Sequence, residues 1–169
     1  MRLPIIISGT LLLSLSLNLP AMSETTADKP QCQTQTNNNL NSRRLFFNSR
    51  LWERANISNY RITVSNSCFC IPDARGPVII EVRNGQPTSI TSVATGKPVN
   101  PEFFQKYNTI PKLFNVIQDA IKRKAYNLNV EYNAKLGYPT KINIDYDSKI
   151  ADEEIFLTIE NFQEIKPRY

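Results

Sequence analysis

The chain has 169 residues, with 20 Lys and Arg against 15 Asp and Glu, and it contains no histidine. This length suffices for one domain with a real hydrophobic core, without help from metals or many disulfides. The absence of histidine excludes the Ser-His-Asp and Cys-His catalytic arrangements and all histidine metal sites. The mild positive charge comes without a Gly-rich or aromatic-interleaved nucleic-acid module, so we expect no nucleic-acid partner.

Residues 1–23 have the organisation of a secretory signal peptide. A positive start at Arg2 precedes an apolar run over residues 5–19, and small residues follow. Polar residues interrupt the run, whereas a membrane-spanning helix needs about 20 predominantly apolar residues. We therefore expect cleavage near Ala21 or Ser23, a secreted or periplasmic location and no stable membrane span after cleavage. An uncleaved membrane anchor is the alternative.

The polar segment 24–40 lacks periodicity and is predicted to be a disordered leader to a single α+β domain over residues 41–166. A helical pattern then predicts a first helix over about 42–56, with Leu45, Phe47 and Trp52 on its buried stripe. Its arginines mostly face away from that stripe. They are interpreted as a solvated helix face, and an anionic membrane surface is the alternative.

Alternating apolar residues predict a strand around residues 60–64, and a second strand around 78–82 runs into Asn84-Gly85. Asn-Gly supplies the two positive-φ residues of a tight hairpin turn, so a returning strand is expected over 87–93. Residues 94–108 are predicted to be loop.

Thr109 is expected to cap a second helix, in which Pro111 is tolerated in the first turn. Three further alternating segments, around 126–132, 142–146 and 155–159, predict strands. The resulting order is α-β-β-β-α-β-β-β. Short hairpins predict an antiparallel sheet of about six strands, with two helices packed on one face.

The pattern Gly-x-Pro-Thr-x-Ile occurs twice, over residues 85–90 and 137–142. Each copy would place glycine in a hairpin turn and proline at the start of the returning strand. Either the chain consists of two related halves, or the two turns share the same local chemistry.

Two of the three cysteines lie in Ser67-Cys68-Phe69-Cys70. In an oxidising compartment three arrangements compete: Cys68 joined to Cys70, Cys32 joined to one of them, or a reactive thiol pair. A structural disulfide is favoured over a copper(I) or redox site, because the latter normally needs further thiol, thioether or imidazole ligands.

A second polar group is formed by acidic residues near the C-terminus. An oxygen-rich calcium site is conceivable there, although the spacing does not match a helix-loop-helix calcium loop. A solvated acidic turn at the sheet edge is the favoured interpretation. The residues are Asp145, Asp147, Asp152, Glu153 and Glu154.

Several of these features together resemble domain of unknown function 6174, an uncharacterised bacterial exported family. The resemblance covers about residues 45–162 and depends on Cys68-Phe69-Cys70 combined with Gly137-Tyr138-Pro139 and a following Ile142-x-x-Asp145. The family implies no activity. Because Cys32 lies outside the matched region, the resemblance implies that Cys68 and Cys70 pair with each other.

We therefore expect an exported, monomeric, non-catalytic binding or structural module without a cofactor. Its partner would be an unknown protein, peptide or envelope component, bound through the sheet face or the hairpin tips. Phe69 and Tyr138, expected as exposed loop aromatics, and the five acidic residues form the candidate binding surface. The alternatives are a thiol- or metal-handling protein that uses Cys68 and Cys70, and a carboxylate-based calcium-binding or hydrolytic protein.

Overall fold

The computed structural model describes residues 29–68, 70–150 and 153–166, and their side chains from residue 37 onward. The predicted signal peptide and the first residues of the predicted leader lie outside this part of the chain. Within it, no helix is both long enough and apolar enough to cross a membrane.

The described residues form three α-helices, one short 3-10 helix and six strands. In chain order they are α1 (Lys29–Ala55), β1 (Tyr60–Asn66), α2 (Pro72–Arg75), β2 (Val78–Arg83), β3 (Gln86–Ser92), the 3-10 helix (Pro101–Phe104), α3 (Ile110–Lys122), β4 (Asn127–Tyr132), β5 (Pro139–Asp145) and β6 (Ile155–Glu164).

The strands form one antiparallel sheet in the order β3-β2-β1-β6-β5-β4. Each three-strand run is a meander, and the two meanders meet where β1 pairs with β6. Helices α1 and α3 contact each other and supply side chains to the core. The predicted α+β fold is thus confirmed. The 3-10 helix lies within residues 94–108, which were predicted to be loop, and the one-turn helix α2 lies between β1 and β2.

The core lies between the sheet and the two long helices. Tyr60, Ile62 and Val64 of β1 are fully buried, and their alternation continues in the neighbouring strands, as expected for a sheet with one covered face. The buried stripe of α3 begins at Ile110, directly after the cap at Thr109, whose Oγ1 accepts a hydrogen bond from the Lys112 N–H. Fully burying an aliphatic side chain such as Ile62 contributes about 1.5–3 kcal/mol, so the buried side chains of the strands stabilise the fold.

Helix α1 begins at Lys29, well before the predicted start at about residue 42, and it includes residues 29–40 of the predicted leader. The polar sequence there gives no periodicity from which a helix could be predicted. Tertiary contacts of the same helix instead stabilise it further along, where Asn41 and Arg44 reach the sheet. Phe47, predicted on the buried stripe, is 63% exposed.

Both edges of the sheet are covered in part. On the β4 edge, the Asn41 side-chain amide donates to the Leu128 carbonyl (3.1 Å) and the Arg44 guanidinium donates to the Val130 carbonyl (2.8 Å). On the β3 edge, the segment after the strand folds back, and the Val99 N–H donates to the Ile90 carbonyl (2.9 Å). Such coverage satisfies edge groups that would otherwise be available to another chain.

Candidate functional site

The structure changes the role of one predicted binding residue. Tyr138 is 7% exposed and stacks on Phe162, with ring centroids 4.9 Å apart, while Trp52 lies edge-on to it at 6.3 Å. Its burial also raises the pKa of its hydroxyl. The expectation of an exposed loop aromatic is therefore wrong for Tyr138, because α1 covers the β4–β5 turn. Phe69 lies outside the described residues.

The acidic residues do not assemble into one site. Asp145 lines a depression beside α1 and β4, whereas Glu153 lines a different groove beside α3. Asp147 caps its own turn by accepting a hydrogen bond from the Lys149 N–H (3.0 Å), and Glu154 is partly exposed. Asp152 lies outside the described residues. Among the residues that are described, no three acidic or cysteine side chains are placed to hold a metal ion.

Cys68 and Cys70 form a disulfide, with their Cα atoms 5.3 Å apart. The loop that contains it is held on both sides: the Ser67 N–H donates to the Phe156 carbonyl (2.9 Å), and Arg75 Nε donates to the Cys70 carbonyl (2.8 Å). A paired cysteine offers no thiolate to a metal or substrate. The side chain of Cys32 lies outside the described part of the chain.

A groove of about 730 Å³ runs beside α3 and is the candidate site. One wall is α3, and the other comes from the segment after the 3-10 helix and from the β5–β6 connection. Val116, Tyr146 and Ile155 are partly buried apolar or aromatic residues in its lining. We call it the α3 groove. Its charged lining residues are Lys106, Lys112, Asp119, Arg123 and Glu153.

Three of the lining side chains form a mutually satisfied cluster at one part of the groove. The Tyr146 hydroxyl donates to Asp119 Oδ2 (3.0 Å), and Arg123 lies 3.9 Å from the centre of the Tyr146 ring. Arg123 also approaches Asp119 Oδ2 to 3.7 Å. Burial, and then the hydrogen bond to the Asp119 carboxylate, raise the pKa of Tyr146. This tyrosine therefore stays protonated near neutral pH and shapes the groove rather than acting as a base.

The other charged groups of the groove form fewer interactions with neighbouring side chains. The Lys112 ammonium donates to the Gln105 carbonyl (2.8 Å), and the exposed Lys106 has no ion pair within the described residues. Glu153 Oε1 is buried and has no hydrogen-bond partner in the same part of the chain. A buried carboxylate oxygen without a donor is unfavourable, so a ligand that supplies a donor at this point would be stabilised.

Sequence patterns did not indicate most of this groove. Tyr146 was interpreted only as the end of the alternating segment around residues 142–146. The available signal was the exposed (i, i+4) pair Asp119–Arg123, which a helix surface brings together. Its partner Tyr146 lies 27 residues from Asp119 in sequence, and only the fold brings them into contact.

Comparison with known proteins gives a single result. The model of a family of unknown function, DUF6174, matches residues 44–164. Neither the curated proteins nor the solved structures that were compared give a match. The family match includes both meanders, α3 and the disulfide, and confirms the resemblance drawn from the sequence. The chain belongs to the DUF6174 family.

Proposed function

We propose that this DUF6174 member is an exported, non-catalytic binding domain that holds a polypeptide segment of another envelope or secreted protein in the α3 groove. The observation that carries the proposal is the groove itself. Its apolar surface at Val116 and Ile155 lies beside Glu153 Oε1 and Lys106, which have no hydrogen-bond partner and no ion pair, respectively, within the described residues. Binding sites typically combine an apolar lining with a few polar groups that fix orientation.

A polypeptide is the ligand class that matches this lining best. Its backbone and side chains supply N–H donors for Glu153 and carbonyl or carboxylate acceptors for Lys106. Its apolar side chains would cover Val116 and Ile155, which are partly exposed in the groove. Removing that surface from water supplies the non-directional part of the affinity.

The expected export supports the choice of partner. The predicted signal peptide favours a location outside the cytoplasm, and the Cys68–Cys70 disulfide is typical of an oxidising compartment. A non-catalytic role is supported by the chain's lack of histidine and by the state of Tyr146, whose hydroxyl is already a donor to Asp119.

The proposal is tested by selecting peptides from a displayed library on the immobilised exported protein and measuring their affinities by titration calorimetry. Asn115 is an exposed lining residue, so Asn115→Arg obstructs the groove without disturbing the core. Gln118→Arg adds the same side chain to the same helix outside the α3 groove and is the matched control. We expect selected peptides to lose at least about tenfold in affinity for Asn115→Arg alone.

A second pair of variants examines the carboxylate. Glu153→Gln retains the size of the side chain but removes its charge, and Glu154→Gln makes the same change at the neighbouring residue outside the groove. We expect weaker peptide binding for Glu153→Gln only. A library that yields no binder, or binders equally tight for all four variants, contradicts the proposed function.

A further inference from the structure

Helix α1 presents apolar side chains to solvent over a short stretch. Leu40, Phe46 and Phe47 are 55%, 68% and 63% exposed. Contiguous exposed apolar surface of this kind marks an interaction site more often than chance exposure does. The other exposed large apolar residues of the described chain are distributed over separate segments: Ile71, Val93, Tyr126, Ile150 and Phe156.

Arginines lie on the same side of the helix. Leu40, Arg43, Phe47, Arg50 and Arg54 follow one another at three- and four-residue steps, which places them along one stripe of an α-helix. All five are exposed. We call this surface, together with Phe46, the α1 outer face. It shares no residue with the lining of the α3 groove.

The α1 outer face lies on a part of the helix that is predominantly positively charged. Between residues 37 and 55 the helix has four arginines and one acid, Glu53, which pairs with Arg50 at 2.9 Å. Arg44 is bound to the Val130 carbonyl, whereas Arg43 and Arg54 have no ion pair within the described residues. A second copy of the chain would bring like charges together on this surface, which is unfavourable. The complementary occupant is therefore anionic.

We propose that the α1 outer face binds the surface of an anionic lipid bilayer. Phe46 and Phe47 enter the boundary between headgroups and acyl chains, while Arg43 and Arg54 contact lipid phosphates. Interfacial helices combine these two interactions, and each cation adds to the attraction of an anionic surface. The apolar side chains protrude from a convex helix, which a deformable lipid interface accommodates without a preformed complementary pocket. This interaction is additional to peptide binding in the α3 groove.

The test is flotation of the purified exported protein with vesicles of phosphatidylcholine alone or containing about 30% phosphatidylglycerol, at low and high salt. We expect binding only to the anionic vesicles and its loss at high salt. Phe46→Ser/Phe47→Ser and Arg43→Gln/Arg54→Gln should each reduce the partition coefficient at least about tenfold. The controls are Phe156→Ser, which removes one exposed phenylalanine from a strand, and Arg61→Gln/Arg83→Gln, which removes two exposed strand arginines. Both should bind as the unaltered protein does.

Two results would overturn the proposal. The first is equal partitioning of the α1 variants and their controls, whatever the vesicle composition. The second is a dimer in light scattering that Phe46→Ser/Phe47→Ser converts to monomer, because the outer face would then be an interface between copies. Thermal unfolding of every variant verifies that the domain remains folded.

Discussion

The two hairpins that share the Gly-x-Pro-Thr-x-Ile pattern differ in what covers them. A Cβ atom added at Gly85, in the β2–β3 turn, would meet no heavy atom within 4 Å. The same atom at Gly137, in the β4–β5 turn, would overlap the Asn48 carbonyl oxygen of α1 and lie 2.8 Å from Leu51 Cβ. One turn is therefore open, and the other is packed beneath a helix.

The strands that follow the two turns are alike. Val82 pairs with Pro87 and Glu81 with Ser89, so Thr88 is an extra, bulged residue. The second hairpin places its own threonine, Thr140, in the same bulge between the pairs of Pro139 and Lys141.

The shared pattern thus encodes a turn followed by a bulge. The two hairpins also occupy different places in the α-β-β-β order, since one joins the second and third strands and the other the first and second. This favours shared turn chemistry over two related halves. Local sequence determines the turn, whereas the element packed above it determines how much a substitution costs.

The largest expected difference is at the two glycines. Gly137→Ala should reduce the free energy of unfolding by about 4 kcal/mol, because the backbone of α1 must move and the φ of +76° is left-handed. Gly85→Ala should cost only about 1 kcal/mol, from its left-handed φ of +75°. Urea unfolding followed by Trp52 fluorescence measures both. Equal costs would contradict the role of α1.

The next residue of the pattern extends the comparison. Tyr138→Ala should cost about 3 kcal/mol, because it leaves a cavity between Trp52 and Phe162. The corresponding residue of the first hairpin, Gln86, is exposed, and Gln86→Ala should change stability by less than about 0.5 kcal/mol. The same urea experiment decides this, and a Tyr138→Ala cost below that of Gln86→Ala would show that the aromatic cluster contributes little.

The two hairpins should also respond to opposite ends of the pH scale. Burial raises the pKa of Tyr132, at the end of β4, to about 12, although the nearby Arg44 lowers it. In the unfolded chain this hydroxyl ionises near its ordinary pKa of 10. Below pH 10 Tyr132 therefore causes no loss of stability, and the free energy of unfolding falls as the pH rises from 10 towards 12.

Tyr132→Phe should therefore weaken the loss of stability between pH 10 and 12. Tyr60 retains part of that loss, because burial raises its pKa to about 12 as well. Urea unfolding at a series of alkaline pH values measures the effect, with the exposed Tyr126→Phe as control. Identical alkaline curves for Tyr132→Phe and Tyr126→Phe would contradict this prediction.

The smallest effect is expected at Glu81 in the first hairpin. Hydrogen bonds from Arg61 and then Arg83 lower the pKa of this carboxyl. The stabilisation that the Glu81 carboxylate gives the folded state is present above its ordinary pKa of 4.5. It is lost as the pH falls through the lower pKa of the folded state. Because both pairs are exposed, Glu81→Gln should cost less than about 1 kcal/mol at pH 7 and nothing at the lowest pH. A cost that persists in acid would indicate a role other than ion pairing.

Sequence patterns predicted those parts of the fold that depend on residues close together in the sequence. Asn84-Gly85 predicted a tight turn, and both residues have positive φ (50° and 75°). Thr109 predicted the start of α3 through its cap. In both cases the residues on which the prediction depended themselves form the predicted feature, the turn or the helix cap.

The errors concern contacts between distant segments. Tyr138 is buried because α1 lies over its turn, and no property of its neighbours in sequence reveals that. Phe46 and Phe47 are adjacent, so a helix cannot bury both on one narrow stripe, and the structure exposes both. The α3 groove needs α3 and the β5–β6 connection together, which is why only Glu153 of its charged residues was among the predicted site residues.

The coverage of the sheet edges limits how this domain associates with other chains. Asn41 and Arg44 occupy carbonyls along β4, and the segment that folds back at Val99 occupies β3 near its end. A partner strand that tried to lengthen the sheet would first have to displace these hydrogen bonds. Recognition by strand addition is thereby disfavoured, and self-templated fibre growth from the same margins is opposed for the same reason.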